Sequence, residues 1–197
     1  MVDHKHKAIF VHVPKCAGAS MQAALLLGNN DVEKYGRHPT IHDIREQLPK
    51  EVFDEYFSFA FIRNPFDRMV SAYAYFNKRT GIKGCFSDFV RKRGIYGTEY
   101  RRNKHDAAVH HMMGLRPITD FICDDSGYVV VDFVGRFETL YTDFEHVAKA
   151  IGLPPMLPRH LNVSSRYDDY RWYYTPRLRR IVEKCYKTDL IKFGYEF

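Results

Sequence analysis

Lys7–Ser20, KAIFVHVPKCAGAS, carries the signals of a buried strand, a tight turn and a helix start, in that order. Ala8–Val13 is a short apolar run with β-branched and aromatic residues, the pattern of a strand covered on both faces. Pro14 stops the strand, and Gly18 supplies backbone that bends freely and can approach a ligand closely. From Ala17 to Leu27 the residues are mainly Ala, Met, Gln and Leu, strong helix formers. Lys15, Gly18, Ala19 and Ser20 therefore fall where backbone N–H groups and the positive end of a helix face outward, with an ammonium and a hydroxyl added. That is an anion site in expectation, although many strand–turn–helix units bind nothing. It is not a Walker A loop, G-x-x-x-x-G-K-[ST], because the lysine precedes the small residues instead of following the last glycine.

A second strand is expected at Phe57–Ile62, FSFAFI, running directly into RNPFDRMVSAYAYF. Asn64 suits a helix N-cap and Pro65 the first helical position. Phe66, Met69, Val70 and Tyr73 recur at helical spacing, which predicts a helix with one face against the sheet. Arg63 thus ends a buried strand, as Lys15 does, and in open α/β sheets the carboxyl ends of strands face the ligand crevice. A salt bridge to Asp67 is the structural alternative for Arg63. Arg68, Ser71 and Tyr75 share another stripe of the same helix.

Further along, Tyr128–Asp132, YVVVD, predicts a strand, and the third of the sheet is expected near 128–137. An apolar run ending in Asp resembles a Walker B strand in isolation, but no Walker A loop accompanies it. Thr139 or Thr142 can cap the amphipathic helix that follows, with Phe144, Val147, Ala148 and Ile151 on its apolar face. Residues 91–104, RKRGIYGTEYRRNK, form a basic stretch that reads as a solvated face or as a grip on an acidic glycan or nucleic acid. His105, His110 and His111, on a stretch expected to be helical, lack the H-E-x-x-H pattern, so no metal is assigned to them. A proline-broken segment, LPPMLPRHLNVSSR, has the polar and irregular composition of a functional loop. A helix is expected from about Thr175 to Tyr186, and the closing DLIKFGYEF is expected to dock on the core.

The chain has 197 residues, 45% hydrophobic and 15% aromatic, which predicts one domain spanning 1–197. Its net charge of +6 favours anionic partners without choosing among them. Cys16, Cys85, Cys123 and Cys185 are widely spaced, which argues against a zinc site or a disulfide framework. There is no apolar run of about 18 residues and no signal-peptide pattern. A cytoplasmic location is the default expectation, and a Golgi-lumenal enzyme cut from its anchor would read the same.

HVPKCAGAS and FAFIRNPFDRMVSAY together resemble the two cofactor-binding motifs of sulfotransferases that use 3′-phosphoadenosine 5′-phosphosulfate (PAPS). The nearest type is the carbohydrate sulfotransferases, including the heparan sulfate 2-O-sulfotransferases. The first family motif, roughly H-x-P-K-T-G-G-T-S, is altered here at Cys16, Ala17 and Ala19. The second, roughly V-R-[DN]-P-x-x-R-x-x-S-x-Y, is matched from Ile62 to Tyr73. The resemblance extends through VDFVGRFE, HLNVSSR and FGYEF, and so covers most of the chain.

The resemblance implies a three-layer α/β/α sandwich with a mainly parallel sheet, P-loop-like in arrangement. It implies that Lys15, Cys16, Ala17, Gly18, Ala19, Ser20 and Met21 surround the 5′-phosphosulfate. Arg63 and Ser71 would hold the 3′-phosphate, and Asn162, Ser164, Ser165 and Arg166 would lie on a loop closing over PAPS. The expected product is the desulfated 3′,5′-bisphosphate (PAP), and the family requires no metal. The acceptor would be a hydroxyl, most simply of a carbohydrate that can itself be anionic, with no nucleic-acid partner. Lys15 would neutralise the leaving bridge oxygen. His38 lies where the 2-O-sulfotransferases carry a histidine upstream of the second motif, and His42 is the next candidate base; Glu33, Asp43 and Glu46 are further substitutes. Three alternatives stay open: a magnesium-dependent nucleotide kinase or NTPase, a non-catalytic binder of anionic glycan or nucleic acid, and a family member that binds PAPS without transferring sulfate.

Overall fold

A computed structural model describes residues 1–25, 38–102, 115–154 and 167–197. The chain forms two compact units, Met1–Arg63 with Ile118–Asn162, and Asn64–Pro117 with Val163–Phe197. No helix among the described residues is long and apolar enough to cross a membrane.

The first unit holds the sheet. Among the described residues, four strands run in the order β1 (Val2–Asp3), β2 (Ala8–Val11), β3 (Phe57–Ile62) and β4 (Phe133–Arg136). β1 is antiparallel to β2, while β2–β3 and β3–β4 are parallel. The mainly parallel α/β architecture expected from the sequence is therefore present. Every residue of β2 is buried, and so are Ser58–Ile62 of β3, which is why both read as continuous apolar runs instead of alternating ones. Phe10 and Phe59, paired in register, stack at 5.2 Å. Gly135 pairs with Phe61, and a Cβ there would lie 2.5 Å from the Phe61 ring, so only glycine leaves that ring its place.

Helix α1 (Gly18–Ala24) follows β2, and α2 (Ile41–Gln47) and α3 (Lys50–Glu55) precede β3. Thr40 and Asp43 form a reciprocal capping box at the start of α2. Short α7 (Thr119–Ile122) leads toward β4, which is followed by α8 (Leu140–Ala150). At the head of α8, Thr139 is the N-cap residue as expected, but its hydroxyl donates to Asp143 Oδ2 at 2.7 Å instead of accepting from the helix.

The third strand begins later than the apolar run suggests. Tyr128–Asp132 lies before β4: Val129 bridges Cys123, and Val130 N–H donates to the Ile122 carbonyl. The run therefore pairs back on the end of α7. Asp132 then clasps β3, its Oδ2 accepting from both the backbone N–H and the hydroxyl of Ser58 at 2.7 Å. A structural Asp, not a Walker B carboxylate, occupies this place.

The second unit is helical: α4 (Pro65–Thr80), α5 (Phe86–Arg91), α6 (Gly94–Arg102), a 3-10 turn at Tyr170–Tyr173, α9 (Pro176–Cys185) and α10 (Lys187–Phe193). α4 starts as expected, with Asn64 Oδ1 accepting from Phe66 N–H at 3.0 Å and Pro65 in the first turn. Its apolar face was expected against the sheet. Within this unit Phe66, Met69, Val70 and Phe76 share a core with Phe86, Phe89, Tyr96, Leu178 and Val182 of its own helices. The C-terminal tail docks as expected: Phe197 packs edge-on against Phe66 at 4.9 Å, and the Glu196 carbonyl accepts from Asn64 Nδ2. The stretch around His105, His110 and His111 lies outside the described residues.

Candidate active site

Parallel pairing of β2 and β3 brings the two expected cations together. Lys15 follows the end of β2 and Arg63 the end of β3, both at the carboxyl side of the sheet. Arg63 Nη1 donates to the Lys15 carbonyl at 3.3 Å. Arg63 is 6% exposed, and its guanidinium lies 3.8 Å over the Phe137 ring. Stacking against Phe137 immobilises the guanidinium while its fork of donors stays planar and charged. Phe137 has no signature in the strand-end motifs; its position just after β4, with its N–H donating to the Ile62 carbonyl of β3, puts it there.

The turn between β2 and α1 is tightly wound. Lys15 and Ala17 adopt left-handed backbone conformations, with φ of 67° and 63°. Non-glycine residues pay for this conformation in strain, and such strain concentrates at ligand-binding turns. Ala17 is the N-cap residue of α1, and the Met21 N–H already donates to its carbonyl. Gly18, Ala19 and Ser20 therefore form the first turn, where backbone N–H groups lack intrahelical acceptors. Cys16 is fully buried with Sγ turned to the Pro14 carbonyl, so its side chain faces inward. Met21 is likewise buried and contributes packing.

Gly18 is required by space rather than by φ. A Cβ built there would lie 1.7 Å from His12 Nε2. The His12 ring in turn meets His38 edge-on at a centroid distance of 4.4 Å. His38 Nδ1 is 3.1 Å from the His12 carbonyl oxygen. A carbonyl only accepts, so Nδ1 carries a proton, and in the neutral ring Nε2 is then the basic nitrogen. His12 belongs to the first motif, but a single histidine inside an apolar run carries no pattern in the sequence that separates packing from function.

The other candidates sit as follows. His42, on α2, uses Nε2 to donate to the Cys123 carbonyl at 3.0 Å. Asp43 is engaged in the α2 capping box, its Oδ2 accepting from the N–H and hydroxyl of Thr40. Ser71 belongs to the second unit, buried on α4. Nearby in the same unit, Arg68 is fully buried and its Nη1 donates to the Arg116 carbonyl at 2.9 Å. Glu33 and the loop residues Asn162, Ser164, Ser165 and Arg166 lie outside the described residues.

Comparison with known proteins bears on the whole chain. The model of the Sulfotransferase family matches residues 1–196. An uncharacterized protein of Archaeoglobus fulgidus is 33% identical over 129 residues, 65% of this chain and 93% of that one. Carbohydrate sulfotransferase 14 of Mus musculus is 25% identical over 87% of this chain and 50% of its own length. Carbohydrate sulfotransferase 10 of Gallus gallus is 23% identical over 98% of this chain and 65% of its own. The chain thus spans between 50% and 65% of the length of these two carbohydrate sulfotransferases. A crystal structure of a sulfotransferase from Alicyclobacillus acidocaldarius aligns with a TM-score of 0.46 at 15% identity, over 80% of this chain and 60% of that one. With the two motifs in order at adjacent strand ends and a family match over nearly its full length, the chain belongs to the sulfotransferase family, of the type that includes the carbohydrate sulfotransferases.

Proposed function

We propose that this protein transfers the sulfuryl group of PAPS to a hydroxyl of a carbohydrate acceptor. One observation carries the reading most directly: Lys15 and Arg63, from two separate motifs, stand at the ends of adjacent parallel strands and are joined through the Lys15 carbonyl. The donor set fits a ligand with two phosphate groups. It offers an ammonium, a stacked guanidinium and a first helical turn rather than a carboxylate cluster.

The donor supplies an activated sulfur with a phosphate leaving group. The acceptor oxygen forms the new S–O bond as the bond from sulfur to the bridging phosphate oxygen breaks, and PAP departs. Lys15 supplies positive charge at that bridge oxygen, where negative charge develops. Arg63 takes the 3′-phosphate, held in place by Phe137. His38 accepts the hydroxyl proton at Nε2, with Nδ1–H anchored on the His12 carbonyl. His38 is preferred to His42 because it packs against His12 of the first motif, whereas His42 is tied through Nε2 to the Cys123 carbonyl.

The test combines calorimetric titration of PAP with transfer of labelled sulfate from PAPS to a panel of oligosaccharides. Lys15→Ala and Arg63→Ala are each expected to weaken PAP about ten- to a hundred-fold, the range of one lost charge-assisted contact. His38→Ala is expected to keep PAP affinity and lose turnover by about a hundred-fold or more. Absence of PAP binding by the unmodified protein would sink the proposal. PAP binding with no transfer to any acceptor would leave a binder of the nucleotide instead of an enzyme.

A further inference from the structure

We propose that His12 is a positioning residue that holds the base His38 in register with the phosphate-binding turn. This rests on the reading of His38 as the proton acceptor. Three contacts meet on His12. Its backbone carbonyl accepts from His38 Nδ1 at 3.1 Å, which selects the tautomer with a lone pair on Nε2. Its imidazole buttresses the His38 ring edge-on, with the planes at 71° and the centroids 4.4 Å apart. The same imidazole lies against the Gly18 backbone, so closely that a Cβ there would fall 1.7 Å from Nε2.

The ring itself is anchored. It stacks on Phe10 at 5.8 Å with a 17° interplanar angle, and Phe10 stacks on Phe59 within the buried sheet. A line of rings therefore runs from the sheet core through Phe10 and His12 to His38. Gly18, in the first turn of α1, touches that line from the side. Base and turn are thus located by one side chain whose own place is set by the two strands that carry Lys15 and Arg63. Catalytic groups depend on such support, since a displacement of about 1 Å can cost about a hundred-fold in rate.

The assignment accounts for two features of the sequence together. Of the two glycine positions in the family motif, position 17 carries Ala here while Gly18 is kept, and it is at Gly18 that a Cβ would strike His12.

Long-range nitrogen–proton NMR correlation on the histidine rings is the first experiment. In the unmodified protein His38 is expected as the Nδ1–H tautomer when neutral; an Nε2–H tautomer would overturn the proposal without reference to activity. The second experiment follows PAP affinity, and kcat with labelled PAPS and an acceptor from the oligosaccharide panel, in His12→Ala, His12→Phe and His38→Ala. His12→Ala keeps the backbone carbonyl, so the Nδ1–H tautomer of His38 is expected to persist while kcat falls about ten-fold and the PAP dissociation constant stays within about two-fold. His12→Phe, which keeps a ring in the same place, is expected to restore kcat to within about three-fold. Should His12→Ala leave kcat unchanged, the His12 ring is only packing. Should His12→Phe lose as much rate as His38→Ala, His12 is itself the base. Full turnover in His38→Ala would instead defeat the reading of His38, a result separable from the tautomer measurement.

Discussion

Ala17 shows how a single residue can cost a tight turn stability through its backbone alone. Its φ of 63° and ψ of 14° lie in the left-handed region, where a Cβ is crowded and glycine is not. Ala17→Gly is therefore expected to stabilise the fold by about 0.5–1 kcal/mol, the left-handed strain relieved less the extra freedom of glycine in the unfolded chain. Denaturant or thermal unfolding measures this directly, and an unchanged or lower midpoint would show that the turn bears no strain at Ala17. Gly18→Ala should go the other way, because the new methyl would force the His12 ring out of place; a loss of about 1–3 kcal/mol is expected, as for overpacked cores. The sequence marked both positions as departures from or matches to a glycine pattern. It did not reveal that position 17 would favour glycine for its φ and position 18 for space, since that difference depends on the His12 ring just past β2. Lys15 and Arg63 were legible for a simpler reason: each follows an unmistakable apolar run, so their strand-end positions required only the period of the pattern.

At the scale of elements, what could be read were long apolar runs and end signals, and what could not were partners. The N-cap at Asn64, the proline behind it and the helix after Thr175 all stand where local chemistry puts them. The run Tyr128–Val131 misled because its composition suits a strand while its pairing is decided by geometry elsewhere. It folds back on α7, and Asp132 then fixes the entry to β4 through the backbone and side chain of Ser58. Similarly, the apolar face of α4 announced burial but not what would bury it, and the cover proved to be helices and aromatic rings of the second unit. The Asp132–Ser58 clasp can be tested alone. Asp132→Ala leaves two Ser58 donors without this carboxylate and is expected to cost about 1–3 kcal/mol; Asp132→Asn, which keeps one acceptor oxygen, should cost less. Equal unfolding midpoints for all three proteins would show that the clasp contributes nothing to the hold of β4 on β3.

Over the whole molecule, aromatic content that the composition announced only as a percentage is concentrated in the second unit, and it gives that unit an alkaline limit. Tyr96, Tyr174 and Tyr186 are held there with their hydroxyls donating to Asn77 Oδ1, the Phe66 carbonyl and the Leu115 carbonyl, respectively. Burial pushes the Tyr96 phenol up to about 12 from its ordinary 10.0, with the neighbouring Tyr73 adding to the effect. Burial likewise raises Tyr174 and Tyr186, foremost among their causes. A buried phenolate would lose hydration and lose the proton it donates, so the neutral form is favoured in the folded state. The unfolded chain releases these protons near pH 10, while the folded Tyr96 keeps its proton to about pH 12. In that window the unfolded state binds fewer protons than the native one, so stability must fall as pH rises. The contribution is complete below about pH 10 and lost above about pH 12; for Tyr96 it amounts to on the order of 2–3 kcal/mol. Denaturant midpoints should therefore be level near neutrality and decline between about pH 10 and about pH 12, and phenolate absorbance should show a delayed class of tyrosines that ionise only as the protein unfolds. Lysines titrate in the same range, so the comparison that isolates the phenol is Tyr96→Phe. That variant loses the bond to Asn77 and is weaker at neutral pH, yet its midpoint should decline less steeply with pH because no phenolic proton remains to be lost at that position. Parallel declines in the two proteins would place the alkaline limit somewhere other than Tyr96.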